Sequence, residues 1–320
     1  MTSSRDWRPR AAAEIVKKRA RLLEGIRTFM RDREILEVDT PILNTGGNPE
    51  PHLQSLVTRL NATTSDNGTA LYLHTSPEFG MKRMLASGSG SIYQICKVFR
   101  DAETGRYHQP EFTMLEWYRV GFNQHDLMDE IDELLVVLGS SAAERVTYNE
   151  VFHQYTGLDA HAAGNDVLLR KAQEVGLSAA NADRSLLLDF LFSSQVAPRL
   201  GRAGPCFVHD FPACQAALAR IRRENGTELA ERFELFINGI EIANGYNELT
   251  NYSEQESRFE QDNRRRMDLG LPAIPWDPDL IAALRAGMPD CAGVALGIDR
   301  LLMVLTGVDA LEDVLTFPLT

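Results

Sequence analysis

Residues 91 to 119 read SIYQICKVFRDAETGRYHQPEFTMLEWYR, and the fold turns on how they are read. The first half, ending on Phe99-Arg100, is rich in β-branched and aromatic residues and is expected to be a strand. From 112 to 118 the sequence alternates, so Phe112, Met114, Glu116 and Tyr118 share one face while Thr113, Leu115 and Trp117 share the other. A carboxylate and a phenol two residues apart, on the face of an aromatic ring, make a poor core stripe and a good floor for a cationic, ring-bearing ligand. The connection, residues 101 to 111, carries Arg106, His108 and Gln109 and is longer than a tight hairpin needs. Long polar loops on rigid strands are where binding residues concentrate.

Toward the N-terminus, residues 9 to 33 have the spacing of one amphipathic helix, with Pro9 near its start and Ile15, Leu22, Leu23, Ile26, Phe29 and Met30 along one stripe. Residues 35 to 38 alternate as a short strand that Pro41 stops. Residues 45 to 67 read as loop, with one strand around 53 to 60, and residues 71 to 73 as another strand. Thr75-Ser76-Pro77-Glu78 then opens a helix, with Ser76 as N-cap and Pro77 at the first helical position. Glu78 suits the positive end of that helix, a role that needs no ligand.

Toward the C-terminus, Asn123 caps an amphipathic helix over residues 125 to 138, and further short helices end near Gly157, Gly176 and Gly201. Residues 121 to 204 therefore read as a helical insertion, in which His125, His153 and His161 are surface or structural. The sheet resumes over 206 to 211. Residues 231 to 249 form a hairpin about Asn238-Gly239, the dipeptide that most favours a type I′ turn. Glu241 and Glu248 lie seven apart, on opposite faces of a regular strand, but a bulge at Asn244-Gly245 returns both to one face. Two carboxylates converging beside a phosphate-binding loop suggest Mg²⁺, a hard cation that takes oxygen ligands. Two solvated edge-strand acids are the plain alternative. Ser253 and Glu256 form a capping box for a helix to about 268. Gly293-Val294-Ala295-Leu296-Gly297-Ile298-Asp299-Arg300 brings small residues, against which a ligand can lie, into an apolar helix.

Composition narrows the function. At 320 residues, 44% hydrophobic and 24% charged, the chain has the profile of a globular protein of one large or two modest domains. No apolar run approaches the roughly 20 residues of a membrane span, and the first residues form no apolar signal segment, so a cytosolic address is expected. Cys96, Cys206, Cys214 and Cys291 are scattered without metal-site spacing and read as reduced, mostly buried thiols. A net charge of -12 argues against a broad nucleic-acid footprint.

A helix and strand ending at Pro41, then FRDAETGRYHQPEFTMLEWY, then GVALGIDR resemble the three ordered signatures of class II aminoacyl-tRNA synthetase catalytic domains. TSPE, HQPEFTMLEWY, GIEIANGYNELT and GIDR are similar to lysyl-tRNA synthetases over nearly the whole chain. Those enzymes place an anticodon-binding domain before the first signature, whereas here 40 residues precede Pro41. GMPDCAGVALGIDR and GRYHQPEFTMLEWYR resemble in detail the free-standing elongation factor P lysyltransferases.

The resemblance implies an α+β fold: a single catalytic domain over residues 1 to 320, an antiparallel sheet flanked by helices, the insertion at about 121 to 204, and no anticodon-binding domain. It further implies a cytoplasmic homodimer and an ATP-dependent ligase that adenylates (R)-β-lysine or lysine and transfers it to a lysine of elongation factor P, with no tRNA involved. Arg100 and Arg300 would be catalytic. Adenine would lie between Phe112 and Arg300, the α-phosphate on Arg100 and the terminal phosphates on His108. Asp101, Ala102, Gln109, Glu241, Ile242 and Gly297 would complete ATP binding, and Glu241 and Glu248 would hold Mg²⁺. Ser76, Pro77, Glu78, Glu116, Tyr118, Glu248 and Ala295 would receive the amino acid. Arg100-Asp101-Ala102 departs from the Arg-x-Glu usual in the family, and Gln109 stands where asparagine is usual. Ala295 and Ser76 stand where lysyl-tRNA synthetases have glycine and alanine, which points to the β-amino acid. A truncated lysyl-tRNA synthetase, a noncatalytic amino-acid sensor and a structural scaffold are the rival readings.

Overall fold

Asn238 and Gly239 both adopt positive φ, 55° and 78°, as a type I′ turn requires. They join the two longest neighbouring strands of the computed structural model, which describes residues 7–60, 68–178 and 182–319. Expectations placed on residues 1–6 and 61–67 lie outside the described residues.

In chain order the described strands are β1 (Leu36–Glu37), β2 (Leu43–Asn44), β3 (Val57–Leu60), β4 (Thr69–Leu73), β5 (Ile92–Phe99), β6 (Glu111–Val120), β7 (Glu144–Thr147), β8 (Cys206–Pro212), β9 (Ile221–Glu224), β10 (Thr227–Ile237), β11 (Ile240–Asn247) and β12 (Cys291–Gly297). The α-helices are α1 (Ala13–Asp32), α2 (Glu78–Ala86), α3 (Gln124–Val137), α4 (Tyr148–Thr156), α5 (Asn165–Glu174), α6 (Arg184–Leu191), α7 (Tyr252–Asp268), α8 (Pro278–Gly287) and α9 (Ile298–Thr306). The chain divides into two compact units, one of residues 1–116, 252–286 and 297–320, the other of 117–251 and 287–296.

In the first unit, hydrogen bonding runs β1-β5-β6, and β2-β4-β3 form a small separate sheet. β1 pairs parallel with β5, Leu36 opposite Ile92. α1 buries Leu22, Ile26, Phe29 and Met30, part of the expected stripe. It begins at Ala13, later than its periodicity suggests, because the preceding backbone is used elsewhere. The Arg10 and Ala11 N–H groups donate to Thr316 O (2.8 Å) and Leu315 O (3.1 Å) near the C-terminus. α2 likewise begins at Glu78, with Pro77 as the flanking residue. Ser76 still caps it from outside, its Oγ accepting the Glu78 N–H at 3.0 Å. α7 starts at Tyr252, so Ser253 lies inside the helix, not at its cap.

In the second unit the order is β6-β12-β11-β10-β8-β7, with β9 on the free stretch of β10. The β8, β10, β11, β12 and β9 pairings are antiparallel, whereas β7 runs parallel to β8. The sheet is therefore mixed, because β1 and β7 each reach their partner through a long crossover. Among the described residues β7 is the one strand inside the insertion read as helical. Its end, Thr147, caps α4 in a capping box with Glu150. Behind the sheet, Tyr148 stacks on Phe192 at 4.7 Å and packs on Phe211 at 4.9 Å, within a buried cluster that includes Leu187, Leu188 and Phe236.

The bulge that sets the glutamates' facing is at Ile242, not at Asn244-Gly245. Leu235 opposes Ala243 and Phe236 opposes Glu241, leaving Ile242 as the extra residue, while Glu234–Asn244 and Phe233–Gly245 pair regularly. A Cβ at Gly245 would fall 2.6 Å from Phe233 Cε1, so this glycine serves a ring's close approach. One extra residue still lies between Glu241 and Glu248, and the inverted parity survives the move. Cys206 and Cys291 are buried, Cys96 is half-buried and Cys214 is exposed, and among the described residues no disulfide links them.

Candidate active site

The loop between β5 and β6 is closed at its base by the Arg100 N–H donating to Pro110 O (2.9 Å) and at its tip by reciprocal bonds between Gly105 and His108. Its start is held by the Asp101 N–H donating to Gln54 O at 2.8 Å. Gln54 is held in turn by the buried Arg266 of α7, whose Nη2 donates to its Oε1 at 3.1 Å. Ala102 sits at φ 60°, a left-handed position that alanine adopts at some cost. That turn brings Glu103 back to within 3.6 Å of the Arg100 guanidinium. Arg100 also lies over the Phe112 ring, 5.1 Å from its centroid. Arg300, in the first turn of α9, donates from Nε to Tyr107 O at 3.2 Å. Gln109 Oε1 accepts the Leu319 N–H (3.2 Å).

Asp299, quoted within GIDR but given no role by the sequence, is almost fully buried. One oxygen accepts the Thr113 N–H at 2.6 Å and the other pairs with Arg19 of α1. It thereby fixes the start of α9, and Arg300 with it, against β6 and α1.

In the same unit Ser76 Oγ donates to Glu116 Oε2 at 2.7 Å while accepting from the Glu78 N–H, leaving one lone pair. Glu116 is buried. Glu78 is paired at 2.6 Å with Lys82, only 2% exposed, on its own helix. Lys82 was legible only as the i,i+4 spacing of an ordinary helix pair, and its burial is what the sequence hid. It balances Glu78, so the carboxylate is held oriented before any cationic substrate arrives.

In the second unit Glu248 and Tyr118 are both buried and meet over Gly293, where a Cβ would lie 2.5 Å from Glu248 Oε1 and from Tyr118 Cδ1. The Glu248 N–H donates to Cys291 O (3.0 Å). Its carbonyl accepts from Arg220 Nε at 2.7 Å, and Arg220 further bonds Thr250 Oγ1 at 3.1 Å and pairs with Asp290. Ala295 lies opposite Asn244 in the β11–β12 register, and Asn244 Nδ2 donates to the Tyr246 hydroxyl oxygen at 3.1 Å. Asn244 was read from sequence only as part of a bulge and Tyr246 was given no role, although both lie in the quoted GIEIANGYNELT.

Glu234 is the other residue the sequence passed over. It is buried and bonded to Arg232 at 2.5 Å. Burial pushes its carboxyl above the usual range, Arg232 opposes that, and the like charge of Glu241 adds to it. Two mutually repelling carboxylates are a fitting donor pair for a divalent cation that keeps water and substrate oxygens in its remaining positions. Among the described residues no group of three or more His, Cys, Asp or Glu side chains is gathered as a metal site. No helix among the described residues is long and apolar enough to cross a membrane.

The family model of tRNA synthetases class II (D, K and N) matches residues 2–320. The chain belongs to this family. Among its class II relatives, proteins named elongation factor P–(R)-β-lysine ligase come from Vibrio atlanticus, Vibrio cholerae and Pasteurella multocida. The first is 50% identical over 316 residues, covering 98% of both chains. The second is 49% identical over 322 residues, 99% of both. The third is 46% identical over 319 residues, 99% of this chain and 98% of its own. The class II match covers residues of both compact units.

Proposed function

We propose that the chain is an ATP-dependent ligase that adenylates (R)-β-lysine and joins it to a lysine side chain of elongation factor P. The observation that carries this reading is the end-to-end identity of about half the residues with ligases of that name. In this reading Arg100 holds the α-phosphate, adenine stacks on Phe112 beside Arg300, His108 reaches the terminal phosphates, and Asp101, Ala102, Gln109, Ile242 and Gly297 complete the contacts. Glu241 would hold Mg²⁺ with Glu248, and Glu234, which feels the like charge of Glu241, is a further candidate. The cation, when bound, offsets charge on the phosphates. Glu78, Glu116, Tyr118 and Glu248 receive the ammonium groups of the amino acid, and Ser76, Pro77 and Ala295 complete its contacts.

The chemistry needs positioning and charge neutralisation, not an enzyme nucleophile. The amino-acid carboxylate attacks the α-phosphorus in line and pyrophosphate leaves. A neutral lysine amine of the acceptor then attacks the acyl carbon, AMP leaves, and the amine gives up a proton as the amide forms. The protein works in the cytoplasm as a homodimer that does not charge tRNA. The dimer reading is supported by β1, a sheet-edge strand with Leu36 exposed, and the tRNA reading by the net charge of -12. Incubation with ATP, labelled β-lysine, and either elongation factor P or tRNA-Lys should label the protein acceptor. Label in tRNA with none in elongation factor P would overturn the proposal.

Ala295 supplies a test of amino-acid choice. Its methyl stands on the strand face that carries Gly293, opposite Asn244, and should crowd an α-ammonium more than an amine one carbon further along. A methyl discriminates by about 1 to 3 kcal/mol. Ala295→Gly should therefore lower the preference for β-lysine over α-lysine in pyrophosphate exchange by about tenfold. An unchanged ratio would make Ala295 a packing choice.

A further inference from the structure

We infer that the C-terminal segment, residues 308 to 319, is a strap that holds the β5–β6 loop in its nucleotide-binding shape, with Arg106 and Gln109 as the positioning residues it grips. The inference rests on the proposed reading of that loop as the ATP-binding loop. The segment touches the loop at two places. Near its start, the Leu311 N–H donates to Arg106 O (2.9 Å), Arg106 Nε donates to Asp309 O (2.8 Å), and the Arg106 guanidinium lies 3.5 Å from the Asp309 carboxylate. Near its end, the Leu319 N–H donates to Gln109 Oε1. These contacts flank Tyr107, whose carbonyl takes the bond from Arg300. The loop tip is thus gripped on both sides of the residue that anchors the proposed adenine-stacking arginine.

The strap can bear load because its own far side is fixed. Leu311 and Val314 are buried. The Arg10 and Ala11 N–H groups donate to Thr316 O and Leu315 O, and the Arg10 side chain pairs with Asp313 at 3.1 Å and Glu312 at 2.5 Å. Phe317 and Leu319 are 70% and 65% exposed, so their side chains pack little. What the last residues bring to the loop is a backbone N–H. A polar loop that orders only when its ligand arrives sets that entropy against affinity, and a loop already ordered does not.

Four variants test this: a chain ending at Thr316, Arg106→Ala, the two combined, and Gln109→Asn, whose shorter side chain withdraws the carbonyl from the tail. A hydrogen bond of net worth near the usual value corresponds to a few-fold in binding. Each single change should raise the KM for ATP in pyrophosphate exchange about threefold and the combination about tenfold, while the KM for β-lysine and kcat stay within about twofold. Without ligand, Gln109→Asn should not speed trypsin cleavage of the shortened chain any further, because the bond it breaks is already gone. Phe317→Ser should leave the KM for ATP unchanged. Without any ligand, trypsin should cut after Arg106 faster in the shortened chain, at an unchanged Tm. An unaltered KM for ATP together with unaltered cleavage, a further rise in ligand-free cleavage from Gln109→Asn in the shortened chain, or an effect of Phe317→Ser would each overturn the strap. A full-length protein with no exchange activity would overturn the proposed function instead, and the ligand-free proteolysis would still decide the strap.

Discussion

Gly293→Ala should lower kcat/KM for β-lysine-dependent pyrophosphate exchange by at least about a hundredfold, the loss that a misplacement of about 1 Å in a reacting constellation produces. The added Cβ would stand 2.5 Å from Glu248 Oε1 and Tyr118 Cδ1, closer than carbon and its neighbours tolerate, so one of these groups must move. Neither has slack. Both side chains are buried, and the Glu248 backbone is clamped by Cys291 on one side and Arg220 on the other. Gly293 itself is paired with Tyr246 in the β11–β12 ladder and cannot retreat without breaking register. The proposed roles of Tyr118 and Glu248 make that displacement a loss in activity out of proportion to any loss in stability. The check is a matched pair of measurements, exchange kinetics and thermal unfolding. Activity within about fivefold of the parent would show that these two side chains do not sit at the amino acid.

Local chemistry was legible wherever a residue type admits few conformations. Asn238-Gly239 announced its turn because both positions need positive φ, and Asn123 announced α3 because its side chain can cap. Asn225-Gly226 carries the same signal, with φ of 50° and 85°, and joins β9 to β10, a hairpin the sequence reading passed over. The bulge shows the limit of such signals. Asn244-Gly245 looked like the irregularity, yet Gly245 makes room for Phe233 and the extra residue is Ile242, which has no local signature. What fixes the bulge is the register of β10 against its neighbours, a long-range fact.

The candidate site divides along the same line. Its candidate residues, Arg100, Glu78, Glu116, Glu241, Glu248 and Arg300, were named because they fall within the quoted signatures. The residues that hold parts of it, Lys82 on Glu78, Arg220 on Glu248 and Asp299 at the start of α9, look in sequence like ordinary surface charges. Only burial and partners, such as Arg19 and Thr113 for Asp299, reveal that they are structural supports. The late start of α1 has a similar cause, since Arg10 and Ala11 bond to residues more than 300 positions away.

Arg100→Ala should cost about 3 kcal/mol of transition-state stabilisation, roughly a hundredfold in pyrophosphate exchange, while leaving thermal stability almost unchanged. The split follows from how loosely the guanidinium is held. Its ion pair with Glu103 spans 3.6 Å and its bond to Thr75 O 3.5 Å, both at the outer limit, and its side chain is 25% exposed. Contacts of that length at a part-exposed site contribute little to folding. The backbone of Arg100, by contrast, is fixed at the base of the loop by Pro110. A cation carried on a rigid stem but not consumed by its neighbours is preorganised for an anion that forms during the reaction, and the in-line displacement at phosphorus builds such charge. Arg100→Lys should recover only part of the loss, because an ammonium keeps the charge and lacks the planar fork that meets two phosphate oxygens at once. Exchange should also fall to background when divalent cations are chelated, in parent and variant alike. Near-normal exchange by Arg100→Ala, at unchanged Tm, would remove Arg100 from the α-phosphate, and its stacking on Phe112 would then be its whole role.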